Sequence, residues 1–285
     1  MIQLPELFNL SGRVAIVTGG AGLLGSEFCR TLAEAGAQVV IADISKEAAD
    51  RLAASLNECW PASASSGAGQ RAAGVQTEVT STDSVRTMVA NALSIFGRVD
   101  ILVNSAALDP KFDPLHSANL AGEDSAFENY PLQLWNQALE VNLTGMFLCC
   151  QAAVKPMLAG GKGTIINLCS MYGLVGPDQR LYEREDKPQQ YKPVYYSVTK
   201  AGVLGLTRYL ATYYAGREIR VNALTPGGVY NDHDEDFVRA YSSRAVIGRM
   251  ARKDEMNGAL LFLASDASSY MTGANLVVDG GWTAW

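Results

Sequence analysis

Tyr196 and Lys200 stand four residues apart in the run Tyr196-Ser-Val-Thr-Lys200. On a helix that spacing puts a phenol and an ammonium on one face. A phenol with an ordinary pKa of about 10 is a poor base near neutrality. A nearby cation favours the phenolate and lowers that pKa. A positioned acid–base group of this kind contributes about 10²–10⁴ in rate. The chain has only two histidines, His116 and His233. A His-rich metal site is therefore not expected, and a Ser-His-Asp hydrolase is a poor fit. Acid–base chemistry falls to another residue type.

A second constellation lies near the start of the chain. An apolar run leads directly into Thr18-Gly-Gly-Ala-Gly-Leu-Leu-Gly25, where Gly20, Gly22 and Gly25 satisfy G-x-G-x-x-G. Between a strand and a helix, such glycines permit a tight turn and let the backbone approach a pyrophosphate. The helix N-terminus then offers unpaired N–H groups and a positive dipole end. The next apolar run, Gln38–Asp43, ends in a carboxylate that can accept both ribose hydroxyls of NAD and would repel a 2′-phosphate. No Arg or Lys sits in the glycine turn or directly beside Asp43, Lys46 being the nearest. NAD is expected in preference to NADP.

These groups need a scaffold that brings strand ends together. Candidate strands are Arg13–Thr18, Gln38–Asp43, Gly74–Glu78, Val99–Asn104, Gly163–Ser170, Ile219–Thr225 and Asn275–Asp279. Helical patterns fall near Gly22–Ala35, Lys46–Leu56, Ser81–Phe96, Pro131–Leu158, Val194–Ala215 and Lys253–Ala264. Continuous apolar strands suit a parallel sheet buried on both faces. The βαβαβ order predicts one α/β domain with a doubly wound parallel sheet of seven strands. Asn104 then ends the strand beside the first, at the crevice where the strand order reverses.

The whole chain has 285 residues, 48% hydrophobic, with a formal net charge of −6. That balance argues against a nucleic-acid or anionic-membrane partner, which would need concentrated Lys and Arg. Met1–Arg13 has no signal-peptide pattern, and no apolar run approaches the ~18–20 residues of a membrane span. The five cysteines, odd in number and without paired spacing, read as reduced cytoplasmic thiols. Cys149 and Cys150 are expected to fill core. Cys59–Ala73, Leu108–Asn129 and Met171–Pro193 read as long loops, a length that is usually functional or disordered.

The glycine turn, Asp43, Asn104-Ser-Ala-Ala, Val141-Asn142-Leu-Thr-Gly, Ile166-Asn-Leu-Cys-Ser170, Tyr196-x-x-x-Lys200, Arg220-Val-Asn-Ala-Leu-Thr-Pro226-Gly227 and Val278-Asp-Gly-Gly281 occur in the order of the short-chain dehydrogenase/reductase family. The chain resembles the compact branch of that family over nearly its whole length. The resemblance implies Tyr196 as the general acid–base residue, with Lys200 lowering its pKa and holding the nicotinamide ribose. It implies Ser170 as hydrogen-bond partner of the substrate oxygen, and Asn142 as holder of a water in a proton relay. Cofactor contacts would come from Gly19, Gly22, Leu24, Gly25, Asp43, Asn104 and Ala106. Pro226, Gly227 and Val229 would line the carboxamide. A homotetramer or homodimer is also implied, with contacts through Val194–Ala215 and Ala259–Val278.

Two departures shape the substrate reading. Leu23 stands where the compact branch has its middle glycine; the spacing here resembles the extended branch of nucleotide-sugar epimerases and dehydratases. The later motifs belong to the compact branch, and little chain follows Tyr196 to build a sugar-binding domain. The Ser170–Tyr196 separation is also wider than usual for the compact branch. The excess is the charged Gly173–Pro193 segment, which must begin and end beside the substrate. A charged lid suits a polar substrate such as a sugar or sugar phosphate, with Arg180 and Arg184 as expected contacts. The expected function is NAD-dependent interconversion of a secondary alcohol and a ketone. The turn, the wide loop and the ending Asp279-Gly-Gly-Trp-Thr-Ala-Trp285 resemble bacterial members associated with surface or flagellar sugars. Competing readings are a nucleotide-sugar epimerase, a 3-oxoacyl-carrier-protein reductase and a non-catalytic NAD-binding regulator.

Overall fold

The computed structural model describes residues 3–61, 69–109, 126–183 and 189–285. Seven strands are named here in chain order: β1 Val14–Thr18, β2 Gln38–Asp43, β3 Ala72–Gln76, β4 Ile101–Asn104, β5 Lys162–Leu168, β6 Glu218–Pro226 and β7 Asn275–Val278. They form one sheet in the order β3-β2-β1-β4-β5-β6-β7, with every pairing parallel. This is the expected doubly wound α/β architecture. The order reverses between β1 and β4, so a crevice opens at their carboxyl ends.

Side-chain alternation divides the core into two layers. Ala15, Val17, Val39 and Ile41 join a cluster with Phe28, Leu32, Leu56 and Leu260. These come from α1 Leu23–Glu34, α2 Lys46–Cys59 and α8 Asn257–Ala264. Ile16, Val40 and Leu102 face the other way, onto Met88, Cys149, Met157 and Val203. Those belong to α3 Thr82–Phe96, α5 Met146–Ala159 and α6 Val194–Tyr213. Both sheet faces are covered, which is why β1 and β4 are buried at every residue. Burial pushes the Cys149 and Cys150 thiols well up, Cys150 to about 12, so both act as core.

Several boundaries differ from the sequence expectation. β3 begins at Ala72, two residues before the expected Gly74. The side-chain oxygen of Asn57, on α2, accepts from the N–H groups of Arg71 (2.7 Å) and Ala72 (2.9 Å). A helix side chain thus sets the strand entry, and no local pattern announces it. The helix expected over Pro131–Leu158 is α4 Leu132–Leu139, a π-helical turn Glu140–Gly145, then α5. The π turn contains Asn142. An additional helix, α7 Glu235–Ser242, was not expected from the sequence. It is capped by Asp234, whose carboxylate accepts from Phe237 N–H at 3.0 Å.

After Tyr196 the chain runs through α6, β6, α7, α8 and β7, all packed on the same sheet. The described residues contain no separate sugar-binding domain, which removes the architectural basis for the extended-branch alternative. No described helix is long and apolar enough to cross a membrane. Much of Leu108–Asn129, and Arg184 within the 173–193 segment, lie outside the described residues. So does His116.

Candidate active site

One cavity of about 1430 Å³ runs along the carboxyl ends of the strands. At one end lie Asp43 and the glycine turn. At the other lie Ser170, Tyr196, Lys200 and the Pro226–Val229 segment. The fold thus joins groups separated by up to 210 positions in the numbering, from Gly19 to Val229.

The glycine turn is built by close approach. Gly19 has φ +61°, and a Cβ there would lie 2.8 Å from the Ala106 Cα. A Cβ on Gly25 would meet the Gly19 carbonyl oxygen at 2.0 Å. Helix α1 starts from Gly22 without a side-chain cap. Its first N–H groups stay available to an anion at the cavity wall. Thr18 Oγ1 accepts from the N–H of Ser105 (3.2 Å) and of Ala106 (3.3 Å), which joins the exits of β1 and β4. These features fit a dinucleotide: a cradle that a side chain would fill, a bare helix N-terminus and an acidic group at the far end. The Asp43 carboxylate accepts from Ala21 N–H and Ser45 N–H, both at 3.0 Å. No Lys or Arg lines the cavity beside it among the described residues. Thr77, Glu78 and Val79, just after β3, line this end as well. Sequence reading missed them because it placed Gly74–Glu78 in the strand.

Asn104 behaves differently from the other expected cofactor contacts. Its side chain turns into the core, donating to Asn167 Oδ1 at 2.8 Å and Cys150 Sγ at 3.2 Å. It is 1% exposed and does not line the cavity. The wall is made by the residues that follow it, Ser105 to Asp109.

At the catalytic end, α6 presents Tyr196 and Lys200 one turn apart. Ser170 follows β5 and opens the 3₁₀ turn Met171–Gly173, its hydroxyl accepting from Tyr172 N–H at 3.2 Å. The Ser170 hydroxyl also neighbours the Tyr196 phenol in the same cavity. Lys200 is 5% exposed and donates to the Leu168 carbonyl at 2.9 Å. Its ammonium lies 5.7 Å from the Tyr196 ring centroid. Burial pushes the Tyr196 pKa well above 10, Asp109 adds to the rise, and the Ser170 hydroxyl offsets part of it. Burial lowers the Lys200 pKa. Tyr196 thus lies between the Asp109 carboxylate, which raises its pKa, and the Lys192 ammonium, 3.9 Å from its ring centroid.

Asn142 has clear partners. Its Oδ1 accepts from Leu108 N–H at 2.7 Å, and its Nδ2 donates to Leu108 O (3.3 Å) and Thr199 Oγ1 (3.2 Å). It clamps the exit of β4 against α6. Arg180 is absent from the cavity lining. Its guanidinium is held by both carboxylate oxygens of Asp178 and is otherwise exposed. The expected substrate contact is thus an arginine turned to a neighbour two residues away.

Tyr196 packs against an aromatic cluster that sequence reading missed. Phe237 and Tyr241 of α7 stack on each other, and Tyr241 stacks in turn on Trp282, which meets Tyr172 edge-on at 5.8 Å. The Tyr241 hydroxyl accepts from Gly228 N–H at 2.6 Å and so fixes the Pro226–Val229 segment. The available signal was an Asp cap followed by aromatics at i and i+4.

Comparison with known proteins follows from this geometry. A family model described as enoyl-(acyl carrier protein) reductase matches residues 20–283. The cis-4-hydroxycyclohexanecarboxylate dehydrogenase of Sinomonas cyclohexanicum is 40% identical over 278 residues, covering 95% of this chain and 97% of that protein. The D-threitol dehydrogenase of Mycolicibacterium smegmatis is 36% identical over 295 residues, covering 99% of each. A gluconate 5-dehydrogenase from Burkholderia cenocepacia, solved with NADP and tartrate, has a TM-score of 0.83 at 29% identity, covering 99% of this chain and 100% of that one.

Proposed function

The chain belongs to the short-chain dehydrogenase/reductase family, and from that premise we propose that it interconverts a secondary alcohol and a ketone on a small polar substrate, with NAD as the preferred coenzyme. The observation that carries this reading is the convergence of Ser170, Tyr196 and Lys200 on the cavity that also holds the glycine turn and Asp43. The named activities of the relatives, on a cyclic hydroxy acid and a polyol, support the same class. A sugar or sugar phosphate of a surface or flagellar pathway falls within it.

The dinucleotide supplies the hydride acceptor for oxidation and the donor for reduction. The chain does the rest. The backbone of Gly19–Gly25, Asp43, Ala106, Lys200 and Pro226–Val229 would hold it. The Ser170 hydroxyl orients the carbinol oxygen. In oxidation the carbinol carbon gives up hydride while its O–H proton passes to the Tyr196 phenolate; in reduction the Tyr196 phenol returns the proton. Asn142, with its carbonyl and amide engaged by Leu108 and Thr199, keeps the β4 exit in place beside this chemistry. Exposed Phe147, Val198, Tyr209 and Tyr213 on α5 and α6 support assembly as a homodimer or homotetramer.

Two measurements bear on this reading. Steady-state kinetics should give kcat/KM for NAD at least about tenfold above that for NADP, because Asp43 would repel a 2′-phosphate. Asp43→Asn should narrow the gap, and a wild-type preference for NADP would sink the assignment. The second concerns pH. Oxidation needs the phenolate as base, so a raised Tyr196 pKa makes oxidation climb as pH rises into the alkaline range, while reduction holds through neutrality. Asp109→Asn removes a cause of that rise and should move the oxidation profile to lower pH. A profile that stays in place would refute the role given to Asp109.

A further inference from the structure

Asp109 and Lys192 face each other across the cavity, next to Tyr196. The Lys192 ammonium is 3.0 and 3.1 Å from the two carboxylate oxygens of Asp109. It also lies over the Tyr196 ring, 3.9 Å from the centroid. Both side chains are largely shielded, at 13% and 25% exposure. The backbone at or beside each is held by an amide side chain. Asn142 brackets Leu108, immediately before Asp109. The Gln179 side chain brackets Lys192, accepting from its N–H at 2.8 Å and donating to its carbonyl at 3.2 Å. The pair is therefore fixed in place before any substrate arrives.

We propose that the Asp109–Lys192 pair recognises a second hydroxyl on a neutral substrate, next to the carbinol that Tyr196 handles; this rests on the dehydrogenase reading above. A carboxylate accepts up to about four hydrogen bonds and an ammonium donates three, so each keeps capacity while paired. A hydroxyl inserted beside the pair donates to Asp109 and accepts from Lys192 without separating the charges. A substrate carboxylate would have to draw Lys192 away and lie beside Asp109, in a cavity also lined by Glu140 and Asp232. Like charges at that range disfavour it. The substrate class assigned is neutral vicinal diols and polyols.

The test compares cyclohexane-1,2-diol, cyclohexanol and 4-hydroxycyclohexanecarboxylate, with NAD and with NADP, in the wild type and in Asp109→Asn, Lys192→Met and Lys192→Arg. The readout is the ratio of kcat/KM between substrates, so damage to Tyr196 common to all of them cancels. The wild type should favour the diol over cyclohexanol by about 10- to 100-fold, as a site built for a hydroxyl rejects the analogue lacking it. Asp109→Asn and Lys192→Met should bring that ratio close to one, and Lys192→Arg should retain most of it. Coenzyme titration by fluorescence shows that each variant is folded. If the diol preference is absent or survives both substitutions, the pair does not recognise the hydroxyl. If the hydroxy acid is the best substrate, with Asp109→Asn improving it and Lys192→Met abolishing it, the pair is a carboxylate anchor and the proposal is wrong. No turnover of any of the three alcohols overturns the dehydrogenase reading and this inference together; turnover with unaltered ratios overturns this inference alone.

Discussion

Replacement of Tyr196 by Phe lowers kcat for alcohol oxidation by about 10²- to 10⁴-fold and leaves coenzyme affinity within a few fold. Only the hydroxyl is removed. The ring stays under Lys192, and α6 keeps its contacts with the sheet. Ser170 still reaches the carbinol oxygen, so substrate binds, but the departing proton has no acceptor. The loss belongs in kcat, with KM changed little. Stopped-flow or steady-state absorbance of the reduced nicotinamide measures it. A variant with near-wild-type turnover would remove Tyr196 from the chemistry.

Gly25→Ala is the second large effect, at the opposite end of the cavity. The added methyl would lie 2.0 Å from the Gly19 carbonyl oxygen, 2.9 Å from the Gly19 carbonyl carbon and 2.9 Å from the Gly20 Cα. All three neighbours are backbone, so no side chain can swing aside. The turn must open or helix α1 must tilt. Overpacking of this kind costs about 1–3 kcal/mol, which for a domain of this size is a fall of several degrees in Tm. The same shift moves the first N–H groups of α1 away from a bound pyrophosphate, and dinucleotide affinity should weaken at least about tenfold. Calorimetry and fluorescence titration read the two effects separately. Unchanged affinity would mean that the turn does not cradle the dinucleotide.

Much of this molecule is legible in the residues because its signals are local. Val14–Thr18 followed by glycines, Gln38–Asp43, and the spacing of Tyr196 and Lys200 each declare themselves within a few positions. All seven strands lie within two residues of their expected bounds at both ends. What could not be read depends on partners far along the chain. Asn57 sets the start of β3. The π turn at Glu140–Gly145 sits in a segment whose sequence reads as plain helix. Asn104 is polar at a strand end, yet its alternation sends it to Asn167 and Cys150 and away from the cavity. Arg180 is a charged residue in a substrate-side segment, and nothing in its spacing shows that Asp178 holds it. Lys192 was visible only as another charge near Tyr196. Its placement over the ring requires Gln179 and Asp109 together.

None of the pairings in the sheet register involves the segments after β4 or between β5 and α6. The seven strands and their covering helices pair without them, and the described parts of those segments are held in part by the side chains of Asn142 and Gln179. Substrate choice is thereby uncoupled from the folding of the sheet. The two segments are therefore the places where an engineer can change length or residues while leaving Tyr196, Lys200 and the glycine turn where the sheet holds them.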